Sequence, residues 1–284
     1  MKTNIKKDYT APWRKMADSW KLFTPPWRPA RSNIVSFKKI LNTTIKDIEN
    51  PKVLILGATP ETRDMLADYK NIEVVLADIN MEMILAMNEL RVKKVFSNEI
   101  WVKSDWLKMP LEKEYFDVIF GDYVTSQLPK EILNAFLLKI KSLLKPAGRF
   151  ITRVGFFNEK TALHFDEIIE KFNKIKESGQ SITDFASYCI VGKTTTIQNG
   201  DYYIFSLPLL KTVRDKYEKK NGKNKWLIAL DKVFAPYEKE WFFYNLGATE
   251  KHLNNYFNIE KKIKEPKGSS LEDATFTYVL SHKK

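Results

Sequence analysis

From residue 52 the chain alternates short apolar runs with amphipathic stretches: KVLILG, TPETRDMLADY, IEVVLADI, MEMILAMNELR, IWVKSDW, FDVIFGDY, KEILNAFLLKIKSLL and GRFITRVGF. Continuous Val/Ile/Leu runs suit strands buried on both faces, and intervening stretches about ten residues long suit crossover helices. Right-handed crossovers then set helices on both faces of one mostly parallel sheet, an α/β fold. Late in the chain, YFNIEKKIKE and ATFTYVLSH are joined by the polar stretch PKGSSLED and read as an antiparallel strand pair that closes the sheet. The expected organisation is an arm and helix over 1–50, a sheet core over 51–156, a helical insertion over 157–250 and the strand pair over 251–284.

The arm, to about residue 31, carries APWRKMADSWKLFTPPWRPAR. Pro25, Pro26 and Pro29 bar a regular helix, because proline lacks the amide donor and clashes with the preceding turn. Trp13, Trp20, Phe23 and Trp27 each bury on the order of 150–250 Å² when packed, so they are expected to cover something. One reading has them close over a ligand crevice, with Arg28 pairing with a carboxylate there; the other has them staple the arm to the flank of the sheet. The next segment, SNIVSFKKILNTTIKDI, predicts a helix capped by Ser32, with Ile34, Phe37, Ile40, Leu41 and Ile45 on one face.

In an open parallel sheet, ligands bind beyond the carboxyl ends of the strands, where strand order reverses. The first strand ends in Leu56-Gly57-Ala58-Thr59-Pro60-Glu61, where Gly57 allows a tight turn, Thr59 suits a helix cap and Pro60 suits the first helical position. A pyrophosphate-binding loop wants three glycines. With one, the loop better suits an adenosyl ligand whose amino-acid tail meets the turn. Asp78 ends the second strand 21 positions after Gly57, with Ile79 beside it, and its two oxygens can accept both hydroxyls of a ribose; the same position also suits a cap for the helix starting near Asn80. Asp105 ends the third strand, placed to accept from an adenine amine with Trp106 as an apolar wall. Asp122, followed by Tyr123, ends the fourth. Carboxylates gathered in one crevice repel one another, so their coincidence points to a ligand more than to stability.

In this order and spacing, VLILGATPE, VVLADIN, VKSDWLKMPL, FDVIFGDYV and LLKPAGRFITR resemble the Rossmann-like S-adenosylmethionine-dependent methyltransferase superfamily. Within it the chain is similar to bacterial members whose first loop reads Gly-x-Thr-Pro-Glu and whose N-terminal segment carries a similar Pro-Pro-Trp-Arg-Pro stretch. The resemblance covers roughly residues 25–156 and the final strand pair. It implies a seven-stranded sheet and S-adenosylmethionine as cofactor. By position, Gly57, Ala58, Thr59 and Pro60 would flank the methionine portion, Asp78 with Ile79 the ribose, Asp105 with Trp106 the adenine, and Asp122 with Tyr123 the methionine end and the acceptor entrance. Trp20, Trp27 and Arg28 would cover the site. Asp122, Tyr123, Arg153 and His164 are candidates for touching the acceptor, His164 being also an ordinary helix residue. Aromatics of the insertion, among them Phe185, Tyr188, Tyr202, Tyr203, Trp226, Phe234, Tyr237 and Trp241, would either line an acceptor pocket or form core.

Several classes stand lower. Cys189 is the only cysteine and there are three histidines, which leaves no internal disulfide and no Cys/His metal cluster. No run approaches the roughly 18 apolar residues of a membrane span, and the start MKTNIKKDYT lacks a secretory apolar stretch, so a cytoplasmic protein is expected. The net charge of +12 favours acidic partners, nucleic acid first, although lysine runs mixed with Glu, Asn and Gly also make solvated helix faces. A small-molecule acceptor is the leading expectation. An RNA methyltransferase, an aminopropyltransferase-like enzyme and a non-catalytic nucleoside-binding protein on the same fold are the alternatives.

Overall fold

A computed structural model describes residues 22–93, 99–235 and 237–283. Trp13 and Trp20, expected to pack over the crevice, lie outside the described residues. The apolar runs form strands β1 (Lys52–Leu56), β2 (Glu73–Asp78), β3 (Glu99–Lys103), β4 (Phe116–Asp122) and β5 (Leu144–Gly155). After an insertion holding β6 (Thr196–Asn199), β7 (Tyr202–Ser206) and β8 (Glu240–Tyr244), the final pair is β9 (Phe257–Lys264) and β10 (Thr275–His282). One seven-stranded sheet has the order β3-β2-β1-β4-β5-β10-β9. Strand β1 runs parallel to both β2 and β4, whereas β10 is antiparallel to β5 and β9.

Alternate side chains of each strand serve opposite faces. On one face Leu54 and Leu56 pack with Leu133, Phe136 and Ile140 of α4 (Lys130–Leu143) and with Leu253 of α9 (Leu246–Tyr256). On the other, Val53 and Ile55 meet Phe37 and Leu41 of α1 (Arg31–Ile45) and Met65 and Leu66 of α2 (Pro60–Leu66). Leu76 packs with Met83, Ile84 and Met87 of α3 (Met81–Glu89). Phe136 and Ile140 are wholly buried; truncating such a residue to alanine typically costs about 2–5 kcal/mol, which is how firmly these helices hold the strand tips. The start of α1 differs from expectation. Ala30 is its N-cap residue, and the Ala30 amide donates to Asn33 Oδ1 at 2.7 Å. Asn33, rather than Ser32, therefore closes the turn, because an Asx oxygen three residues on reaches that amide.

The insertion was expected to be helical. It holds α5 (Phe165–Asn173), α6 (Gly179–Ile190), α7 (Leu207–Asn221) and α8 (Lys225–Phe234), and also a three-stranded antiparallel sheet, β6-β7-β8. YYIFS and EWFFY are rich in strand-forming aromatics, but runs of five residues are too short for periodicity to separate strand from buried helix. The insertion has its own core. Trp226 packs against Phe185 and Phe172 at ring-centroid distances of 5.1 and 5.3 Å, and Tyr203, Phe234 and Tyr237 are buried with them. Phe23 of the arm is buried in this same cluster. Among the described residues no helix is long and apolar enough to cross a membrane.

Candidate active site

Strand order reverses between β1 and β4, and a cavity of about 230 Å³ opens at that point, beyond the carboxyl ends of the strands. Of the residues singled out in the sequence, Gly57, Ala58 and Thr59 border it from the first loop. Asp78, Ile79, Asp105, Trp106 and Asp122 border it from the ends of β2, β3 and β4. Met83, Met87, Leu128 and Ile132 supply apolar walls. Pro60 is buried at the first position of α2 and shapes the turn from behind.

Gly57 has φ +92°, and its amide donates to the Ala77 carbonyl at 2.8 Å. A Cβ there would lie 3.9 Å from Asp78 Oδ2, ordinary contact. The left-handed backbone, not space, is what calls for glycine. The Asn80 side chain caps α3, accepting from the amides of Glu82 and Met83 at 2.9 and 3.3 Å. Asp78 is thereby relieved of capping; its Oδ1 accepts from the Asn80 amide at 2.8 Å. Burial pushes the Asp78 carboxyl up to about 6, against the lowering pull of the Asn80 and Ile79 amides. Asp105 closes a tight turn, its Oδ1 accepting from the Leu107 amide at 2.9 Å. Trp106 donates from Nε1 to the Ala77 carbonyl at 2.9 Å and packs on Phe136, which fixes the indole as a wall.

Asp122 sits where this cavity meets a second one of about 120 Å³. Thr59, Asp122 and Gln127 border both. Tyr123 follows in the left-handed region at φ 54°, a strained conformation for an aromatic residue. It is held there by its amide donating to the Arg153 carbonyl at 3.0 Å, by a hydroxyl contact with Thr275 Oγ1 at 3.0 Å, and by the Arg153 guanidinium 4.6 Å above its ring. Burial pushes both the Asp122 carboxyl and the Tyr123 phenol up.

Arg153, expected to touch the acceptor, is placed differently. Its side chain is wholly buried behind Asp122, donating from Nε to Asp122 Oδ1 at 2.7 Å and from a terminal nitrogen to the Pro26 carbonyl at 2.8 Å, with Glu265 3.6 Å away. It borders neither cavity. The physical reason is charge: β5 brings it beside two buried acids, and the guanidinium hydrogen-bonds Asp122 while its charge offsets Glu265 at longer range. His164 is the exposed N-cap residue of α5 and also borders neither cavity. Cys189 is buried, which pushes its thiol up and leaves it unreactive.

The arm reaches the second cavity through Trp27. Its indole donates to Ser187 Oγ of α6 at 2.6 Å and packs on Phe23 and Phe234, with Trp241 6.3 Å away. Arg28 pairs with Glu61 at 2.6 Å. The sequence reading gave no role to Glu61 or Gln127. Glu61 Oε2 and Gln127 Oε1 are buried polar atoms without a hydrogen-bond partner, and burial pushes the Glu61 carboxyl up despite Arg28. Of the insertion aromatics weighed as pocket residues, Trp241 borders the second cavity, joined by Phe243, while Phe185, Tyr203, Trp226 and Tyr237 belong to the core.

Solved structures share this architecture. A Rhodobacter sphaeroides protein described as a Zn-dependent alcohol dehydrogenase superposes with a TM-score of 0.60 at 16% identity, over 98% of this chain and 100% of its own. The N-methyltransferase NodS of Bradyrhizobium japonicum, with S-adenosyl-L-homocysteine, gives 0.51 at 10% identity, over 97% and 98%. The Burkholderia thailandensis 1,6-didemethyltoxoflavin-N1-methyltransferase, with its substrate and S-adenosylhomocysteine bound, gives 0.51 at 12% identity, over 98% and 86%. At such identities the likeness is one of fold. No curated protein matches the sequence. A family model described as a methyltransferase domain matches residues 61–225, more than half of the 284 residues, and the chain belongs to that methyltransferase family.

Proposed function

We propose that this protein is an S-adenosylmethionine-dependent methyltransferase acting on a small molecule, and that within the family it groups with bacterial members carrying the Gly-x-Thr-Pro-Glu loop. The observation that carries the reading is the pair of joined cavities: a larger one rimmed by Asp78 and Asp105, and a smaller one that meets it at Asp122. The residues present fit the cofactor. Asp78 offers acceptors to a ribose, Asp105 with Trp106 suits an adenine, and the buried Gln127 oxygen without a partner, on a side chain that borders both cavities, suits a donor of an α-ammonium or an acceptor. Once bound, S-adenosylmethionine supplies a methyl group on a sulfonium.

The chain's own contribution is then positioning, dryness and proton management. Asp122 receives the acceptor's proton where one must leave, and Arg153 is a positioning residue that fixes which Asp122 oxygen remains available. Tyr123 shapes the passage between the cavities. The arm and residues 157–250 act together as the cap over the acceptor. A calorimetric titration with S-adenosylhomocysteine and with NAD tests the assignment. Heat with the first and none with the second is expected; uptake of NAD alone would remove the reading.

A further inference from the structure

We propose that the second cavity takes a neutral, single-ring aromatic acceptor bearing a hydroxyl or N–H group, its ring held by Trp27, Trp241 and Phe243 and its nucleophilic atom turned toward Asp122. This rests on the methyltransferase reading and narrows it to a substrate class. Size comes first. The cavity measures about 120 Å³, on the scale of the apolar cavity of about 150 Å³ that holds one benzene ring, so a single ring is the size it suits.

Shape comes second. Gly155 ends β5 beneath this cavity, and a Cβ there would lie 2.9 Å from Phe243 Cε1. Its absence lets the Phe243 ring lie against the strand as a flat wall. Trp27 and Trp241 stand nearly edge to face, at 70°, so rings from the arm and the insertion face the space from different directions, an arrangement suited to stacked and edge contacts with an aromatic guest.

Charge comes third. Among the described residues no lysine or arginine borders the cavity, and the charged lining residue is Asp122. An anionic acceptor would meet the Asp122 carboxylate and, among the described lining residues, no cation of its own to pair with. A cationic one would find that carboxylate already engaged by Arg153 at 2.7 Å. Two acceptors, Asp122 and the unpartnered Gln127 Oε1, stand at the junction and call for a guest that donates hydrogen bonds. In the reaction the guest's oxygen or nitrogen bonds to the methyl carbon as the carbon–sulfur bond breaks. The electron pair of that bond stays on sulfur, and the guest's proton passes to the Asp122 carboxylate.

The test uses the whole protein, with and without S-adenosylhomocysteine, and follows phenol, benzoate, benzyltrimethylammonium and 1-naphthol by saturation-transfer NMR and tryptophan fluorescence. Phenol alone is expected to bind. Trp241→Ala and, independently, the cavity-filling Ala274→Leu are each expected to weaken phenol at least tenfold while S-adenosylhomocysteine affinity moves less than twofold. Tighter binding of benzoate, the cation or naphthol overturns the proposal, as does phenol binding that survives both variants or is missing altogether. Phenol binding without any heat from S-adenosylhomocysteine would leave this inference standing and remove the cofactor reading instead.

Discussion

Asp78 illustrates how a binding residue can work against the stability of the fold that holds it. Its carboxyl, pushed up to about 6 by burial, is ionised at neutral pH at a cost that the unfolded chain does not bear. The folded state holds the proton more tightly than the unfolded one, so this residue's penalty is fully present above about pH 6 and fades as the pH falls toward the ordinary carboxylate range. Asp78→Asn is therefore expected to raise the stability of the unliganded protein at neutral pH by about 1 kcal/mol in chemical denaturation. The same substitution should weaken S-adenosylhomocysteine at least tenfold, because an amide keeps one acceptor oxygen where the carboxylate offers two to the ribose hydroxyls. In the unsubstituted protein the affinity should hold above about pH 7 and fall about tenfold by pH 5, as the acceptor form is protonated away. A flat calorimetric pH profile would detach Asp78 from the ligand. The strand-end acids were legible because a parallel sheet places its ligands at strand ends whatever the packing above. Glu61 and Gln127 were not, since their interest lies in single oxygens left without partners, and sequence does not show which oxygen a neighbour takes.

At the level of elements, the arm is fastened to both sides of the site rather than to the flank of the sheet alone. Thr24 bonds to Thr183 of α6, Trp27 to Ser187 of α6, and the Pro26 carbonyl to Arg153 of β5. Ser187 Oγ also donates to the Thr183 carbonyl at 2.8 Å, so Ser187→Ala strands the indole N–H. A loss of about 1–2 kcal/mol is expected in thermal denaturation, with faster proteolysis before residue 31. An unchanged digestion pattern would mean that apolar packing of Phe23 and Trp27 suffices. Arg153 is the stronger tie, joining β5, the end of β4, the arm and Glu265 just after β9. Replacing it by methionine leaves Asp122 and Glu265 buried without their cation, and about 3–5 kcal/mol of stability should go with it. A variant as stable as the parent would show that the two acids take up protons without strain. Proline spacing made the irregular backbone around Pro25, Pro26 and Pro29 legible, but the partners that fasten it to α6 and β5 are more than 100 residues away in sequence, and only the fold brings them near.

For the whole molecule, the sheet was legible and the insertion was not, for one physical reason. Buried parallel strands and their helices repeat a pattern that each unit restates, while the insertion packs aromatic residues from all sides into its own core, which erases the polar alternation on which periodicity depends. The charge of +12 was likewise ambiguous in the sequence and has a clearer distribution in space. Lys216, Lys219 and Lys220 on α7 and Lys261, Lys262 and Lys264 on β9 are exposed, whereas among the described residues none that lines the second cavity is basic. A protein that grips a nucleic acid through six to ten phosphates loses roughly 10³–10⁵ in affinity between 50 and 200 mM salt. A small neutral acceptor held by rings has no counterions to release. Methyl transfer from labelled S-adenosylmethionine into a cell extract is therefore expected to label the small-molecule fraction, to survive ribonuclease, and to change less than about twofold over that salt range. Label that moves with RNA and vanishes with salt would mean that the exposed lysines, not the second cavity, choose the substrate.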